Sequence, residues 1–300
     1  MAQVNKEDIA AVFKNIQDHI CSELERADGL GKFVEDKWQR PGGGGGRSRV
    51  IRNGHIIEKG GVNFSEVYGK TPEKILNSFG LSDGDFFATG VSIVLHPENP
   101  WVPIIHMNIR YFEMSTGTYW FGGGIDLTPH YVDTDDARYF HGKLKAVCDK
   151  HDPAYYKEFK TWADDYFFIK HRDETRGIGG IFFDHLSEEQ AKSKEAIFNF
   201  VKDVGLTFAP IYTYFMGKNA IKPYGKREKD WQTNRRGRYV EFNLVLDRGT
   251  KFGLETDGRT ESILMSLPPI AGWEYNYQPA ANTLEAKTLG LLKKGINWLE

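Results

Sequence analysis

Cysteine is nearly absent: Cys21 and Cys148 are the 2 in 300 residues. They are far apart and form no C-x-x-C pair, which argues against a secreted disulfide framework and a thiol-redox motif and suits a reducing compartment. Long apolar runs are missing too, since no stretch approaches the roughly 20 residues that cross a bilayer. The opening MAQVNKEDIAAVFKNIQDHI is too polar for the apolar centre of a signal peptide and too acidic for a mitochondrial transit sequence, so a cytoplasmic protein is expected. Neither sign of charge is in excess, with 39 basic against 41 acidic residues. Without a basic footprint, nucleic acid is not an expected partner. The run PGGGGGRSR lacks the G-K-[ST] ending of a phosphate-binding loop and the strand-to-helix setting of a dinucleotide fingerprint. H-E-x-x-H and zinc-module spacings are absent as well. His96, His106, His141 and His171 could in principle meet around a transition metal, but their spacing assigns none of them as a ligand.

What the chain does hold is aromatic mass: 14% of its residues, including 20 Phe and 14 Tyr. That composition suits a deep core and a flat organic ligand. No linker or internal repeat divides the chain, so residues 1–300 are expected to form a single α+β domain. An amphipathic helix opens it, with Ile9, Val12, Phe13, Ile16 and Ile20 at helical spacing behind Asn5 as N-cap. The glycines 42–46, flanked by Arg40, Arg47 and Arg49, are expected to make a flexible loop over about 40–49 that could close as a lid.

From Phe86 to Phe183 the pattern is largely β, broken by helical stretches near 135–150 and 154–171. Ser187 with Gln190 has the spacing of a capping box ahead of a further helix. After Trp231 the chain is expected to return to strand in RYVEFNLVLDRGT and ESILMSL, before a helix-rich tail.

Strict alternation in PIIHMNIRYFE sends His106, Asn108 and Arg110 to one face and Ile105, Met107 and Ile109 to the other. FFATGVSIVLH places Ser92 and His96 on a common face by the same period. Were these strands to pair as a hairpin, Ser92, His96, His106, Asn108 and Arg110 would converge on one surface. Later, Asp247 follows an alternating run, and Thr256 to Arg259 forms a turn that could present Arg259 and backbone N–H groups to an anion.

At these residues the chain resembles the oxygen-dependent coproporphyrinogen III oxidases. The blocks carrying the resemblance are WQRPGGGGGRSRVI, GVNFSEVYG, FFATGVSIVLHPENPWVP, WFGGGIDLTPHY, DDYFFIKHRDETRGIGGIFFDHL and RRGRYVEFNLVLDRGTKFGLETDGRTESILMSLPP. The resemblance implies a large flat antiparallel β-sheet sandwiched between layers of α-helices, and a homodimer whose contact includes about 239–274. The activity it implies turns two propionates of coproporphyrinogen III into vinyl groups with molecular oxygen as co-substrate, giving protoporphyrinogen IX, carbon dioxide and hydrogen peroxide. The resemblance implies no flavin or haem, and it leaves open whether a metal is required. His106 matches the proton donor; Asp126 and Asp247 match carboxylates that meet the pyrrole nitrogens. Ser92, Asn108, Ile109, Arg110, Asp257, Gly258 and Arg259 match substrate contacts. Two positions depart from the family pattern: Ile109 stands where tyrosine is common, and Asp257 where glycine is usual.

Overall fold

The computed structural model describes residues 4–71, 73, 76, 83–188, 192–255 and 258–300. Helix α1 (Lys6–Asp28) starts where its cap permits, because the Asn5 side chain accepts the Asp8 backbone N–H at 2.7 Å. It ends at Gly29, whose φ of 77° suits a residue without Cβ. Ile9, Phe13, Ile16, Ile20 and Leu24 form its buried stripe.

The chain then runs as a meander through β1 (Val34–Gln39), β2 (Gly44–Arg52), β3 (Ile57–Lys70), β4 (Asp85–Pro97), β5 (Ile104–Met114) and β6 (Tyr119–Thr128). Helices α2 (Thr134–Asp149) and α3 (Tyr155–Tyr166) follow, then the short ribbon β7 (Phe168–Ile169) and β8 (Glu174–Thr175). Strand β9 (Gly180–Leu186) returns beside β6 and completes a seven-stranded antiparallel sheet in the order β1-β2-β3-β4-β5-β6-β9.

One face of this sheet meets α1, α2 and α4 (Lys194–Asn219), and the main core lies between them. Helix α4 is capped by Ser193, whose Oγ accepts the Ala196 N–H. Ser193 thus takes the capping place the sequence suggested for Ser187, while Gln190 lies outside the described residues. No described helix is long and apolar enough to cross a membrane.

The other face is covered by α5 (Lys226–Glu241), a π-helical turn at Phe242–Leu246, α6 (Arg248–Glu255) and α7 (Thr260–Leu264). The sheet is therefore sandwiched between helical layers, as the resemblance implied. Helix α8 (Leu284–Leu291) lies in the C-terminal tail. Covering helix and turn occupy RYVEFNLVL, and α7 occupies most of ESILMSL, so both expected strands are helical. Trp231, Gln232, Arg235, Arg236, Tyr239, Phe242 and Asn243 are buried at steps of three and four residues, and tertiary packing overrides the local alternation.

The glycine-rich run is also corrected. Instead of a loop, Gly44–Arg52 is a strand paired on both sides, with β1 and β3, and the turn before it is closed by the Gly43 N–H donating to Arg40 O at 3.0 Å. The glycines are needed for close approach: a Cβ on Gly46 would lie 2.5 Å from the Trp38 indole and 2.4 Å from Phe64 O.

Candidate active site

Between the sheet and its covering helices lies a cavity of about 850 Å³. Strands β4 and β5 supply its floor through the expected hairpin pairing, with Ser92 opposite Asn108, Val94 opposite His106 and Gly90 opposite Arg110. Ser92, His106, Asn108 and Arg110 line it together. Asp247 and Arg259 enter from the covering side, and Trp38, Trp120, Tyr166 and Phe182 supply aromatic wall. Such a mixture of apolar wall and few convergent polar groups is the usual character of a small-molecule site.

His106 is the most elaborately held of these residues. Its Nδ1–H donates to Asp126 Oδ1 at 2.8 Å, which fixes the tautomer and leaves Nε2 as the nitrogen available to the cavity. Behind it, the Arg176 Nη2 donates to both Asp126 oxygens at 2.8 and 2.8 Å. Burial would raise the Asp126 carboxyl, but the Arg176 charge and the His106 hydrogen bond outweigh it and hold the group below the usual carboxylate range.

Asp126 itself is 1% exposed, with Arg176 and His106 occupying its oxygens, so it stands behind the histidine and does not form cavity wall. Asp247 does reach the wall, as does Asp184. Asp247 accepts the Tyr166 hydroxyl at 2.8 Å and the Thr250 N–H at 2.7 Å, the latter making it the cap of α6. A carboxylate has lone pairs beyond those two bonds to offer a ligand.

The cations are held ready. Arg110 donates to Asn108 Oδ1 at 3.0 Å and pairs with Asp184 at 2.9 Å, and the pair lies so close over Gly122 that a Cβ there would sit 2.8 Å from Arg110 Nε and 2.5 Å from Asp184 Oδ1. Arg259 pairs with Asp36 on β1 and donates to Ser48 Oγ at 3.2 Å. Arg248 lies against the Tyr166 ring at 6.0 Å and also lines the cavity.

Two expected contacts fall elsewhere. The Ile109 side chain is 0% exposed on the core face of β5, so no side-chain contact with a cavity ligand is open to it. Asp257 lies outside the described residues; Gly258 is placed just before α7, its N–H donating to Gly253 O at 2.8 Å.

The four histidines considered as metal ligands are held separately. His96 Nε2–H donates to Ser266 O at 2.8 Å, and burial keeps its ring neutral far below the usual histidine range. His141 meets Tyr156 and the Ile178 carbonyl, while His171 pairs with Glu241. Among the described residues no group of three or more His, Cys, Asp or Glu is arranged to hold a metal.

Sequence reasoning missed Arg176, Asn243, Asp184 and Arg248. A buried aspartate beside a histidine on neighbouring strands calls for a cation, and the arginine-rich HRDETRGIGG was the signal for it.

Comparison with known proteins adds a second line of observation. Residues 8–298 match the family model described as coproporphyrinogen III oxidase. The chain is 50% identical, over 95% of its length and 88% of the relative's, to the oxygen-dependent coproporphyrinogen-III oxidase of Prochlorococcus marinus (strain MIT 9313). It is 48% identical, over 98% of its length and 88% of the relative's, to the protein of the same name from Synechococcus sp. (strain CC9605).

Proposed function

The chain belongs to the coproporphyrinogen III oxidase family, and from that premise we propose how its cavity carries out the oxygen-dependent oxidation of coproporphyrinogen III to protoporphyrinogen IX. The observation that carries the reading is the set of His106, Asn108 and Arg110 along one face of β5, opening on a cavity of about 850 Å³ with Asp247 across from them.

The substrate has an apolar, electron-rich macrocycle with carboxylates at its rim. Aromatic walls suit the ring, and Arg110 and Arg259 suit propionates by two-pronged hydrogen bonding. These arginines anchor and orient. Tight binding of the carboxylate that must leave would stabilise the ground state and raise the barrier. Each of the two reacting propionate side chains, as the acid, reacts with one molecule of oxygen to give a vinyl group, carbon dioxide and hydrogen peroxide. The bond to the carboxyl carbon and one C–H bond of the ring-attached methylene break, the C=C bond forms, and the two electrons released, with one proton from the methylene and one from the acid, reduce oxygen to hydrogen peroxide.

In this reading the electron-rich pyrrole is where oxygen is engaged, the side chain supplies the two electrons overall, and no resident cofactor takes part. Asp247 shares the pyrrole N–H proton, and His106 moves a proton at Nε2 beside the reacting side chain. Asp126 and Arg176 hold that histidine in one tautomer. Ser92, Asn108 and Gly258 complete the substrate contacts.

We further propose that the enzyme works as a homodimer. Helices α6 and α7 bury no residue within their own chain. Val245 is 51% exposed, Trp273 56% and Tyr275 99%, an apolar concentration that suits a subunit contact over about 239–274. The buried free thiols of Cys21 and Cys148 suit a cytoplasmic site of action.

The test is direct. Purified protein is mixed with coproporphyrinogen III in air, and vinyl products, oxygen uptake and peroxide are followed together; chelator-treated protein is assayed alongside with elemental analysis. Conversion with one oxygen consumed per vinyl group is expected. Binding without conversion would instead leave a tetrapyrrole carrier.

A further inference from the structure

Arg176 is confined in a way that makes its orientation informative. Its guanidinium sits 4.5 Å from the Phe167 ring centre, 4.6 Å from Tyr239 and 4.6 Å from Phe242. Enclosed by rings, the fork keeps its place chiefly through the acceptors in its own plane. Asp126 takes one of them, at Nη2. The other is Asn243, whose Oδ1 accepts Nη1 at 2.8 Å. Arg176 is 3% exposed, Asp126 1% and Asn243 4%, so little bulk water competes for the guanidinium.

Asn243 belongs to the π-helical turn that joins α5 to the helices carrying Asp247 and Arg259. Turns of this kind are uncommon and concentrate at functional positions. A continuous buried chain thus runs from the covering layer to the floor of the cavity: Asn243, Arg176, Asp126, His106.

From this geometry we infer that Asn243 is a positioning residue, which couples the covering helices to His106 by holding Arg176 square to Asp126. The inference rests on the proton-transfer role proposed for His106. Asn243 satisfies the second arm of the guanidinium and so sets the orientation in which Nη2 meets both Asp126 oxygens. If Arg176 loses that arm, it can turn away from Asp126, and the imidazole is free to place its proton on either nitrogen.

The test reads the imidazole itself. The His106 signal in 15N-histidine-labelled protein, identified by its loss in His106→Gln, is recorded for the wild type, Asn243→Ala and Asn243→Asp. The Ala variant, with no acceptor, is expected to show both tautomers, and the Asp variant, which keeps an acceptor, one. In turnover, Asn243→Ala should lower kcat by about 10- to 100-fold, the scale on which partners behind a functional histidine act, with KM nearly unchanged. A single Nδ1–H tautomer and wild-type kcat in a folded Asn243→Ala protein would overturn the inference. If that variant does not fold, Asn243→Leu supplies the same readout with the side-chain volume kept and the acceptor removed, and is expected to show both tautomers; a single Nδ1–H tautomer there would equally overturn it. Because the spectra need no turnover, altered tautomers in an enzyme that leaves coproporphyrinogen III unconverted would uphold the coupling and remove the proposed reaction.

Discussion

The two faces of β5 divide labour within single residue steps. Ile105, Met107 and Ile109 are 0% exposed and pack under the helical layer, whereas His106, Asn108 and Arg110 open on the cavity. The helices above each face follow suit. On the core side, α1 and α4 present apolar stripes. On the cavity side, α5 is buried through Arg235, Arg236 and Gln232, which are paired with Glu174, Glu58 and the carbonyl of Pro97. One layer is held by area removed from water, the other by charges whose partners must be in place. The difference teaches that the same strand can be probed for stability or for chemistry by moving one residue along it.

The largest separation is expected at His106. His106→Ala should cost about 10²- to 10⁴-fold in kcat, the range of a positioned proton-transfer group, with the urea midpoint almost unmoved. Near-normal turnover would remove the histidine from the mechanism. On the same face but beneath it, Arg176→Met leaves the Asp126 carboxylate buried without its cation. A loss of about 3–5 kcal/mol in chemical unfolding is expected, because an uncompensated buried charge is worse than none. Ile109→Ala supplies the counterpart from the core face: about 2–5 kcal/mol of stability, from lost transfer energy and a cavity, with kcat and KM retained. If Ile109→Ala altered KM as strongly as Arg110→Ala, the two-faced description would fail.

These faces were unequally legible in the sequence. Helix α1 declared itself through Asn5 and a regular apolar period, and the pairing of β4 with β5 followed from two alternating runs around a short connection. The covering layer hid for a physical reason. Its inward positions mix arginine, asparagine and glutamine with Trp231, Tyr239 and Phe242, so no continuous hydrophobic stripe marks the helical period, and the β-branched and aromatic residues of RYVEFNLV imitate a strand. The glycine run misled similarly, since glycine signals freedom in isolation but here supplies room for Trp38. Asp126 was found as a residue but misplaced as a contact, because its location depends on Arg176, 50 positions away along the chain.

Acid provides a smaller, graded comparison that spans both faces. Burial holds His141, on the core side, down to about 4 and His130 down to about 3. The unfolded chain takes up these protons near the ordinary histidine value of 6.5, so their contribution to stability is complete above that pH and declines as the pH falls toward 4. Asp126 behaves as a depressed carboxylate, contributing above its unfolded value of 3.8 and losing that contribution only in stronger acid. Urea midpoints are therefore expected to drop between pH 7 and pH 5, before Asp126 is protonated. A flat midpoint across that interval would show that the histidines are not buried neutral.

The smallest effect should come from the exposed ion pair at the rim. Asp36 and Arg259 have side chains 56% and 29% exposed, and pairs in such surroundings contribute about 0–1 kcal/mol. Asp36→Asn should accordingly leave unfolding almost unchanged, in contrast to the buried Arg176–Asp126 pair. Its effect on the substrate should have the opposite sign to that of removing an anchor. In the free enzyme Arg259 already holds a carboxylate, and an incoming propionate must displace it; with Asp36 neutral that competition weakens, and KM should fall modestly at unchanged kcat. The gain should shrink as salt is added, since screening weakens both the resident pair and the incoming one. A rise in KM would mean that Asp36 holds Arg259 in its binding posture, so that the pair acts as a support and not as a rival to the substrate.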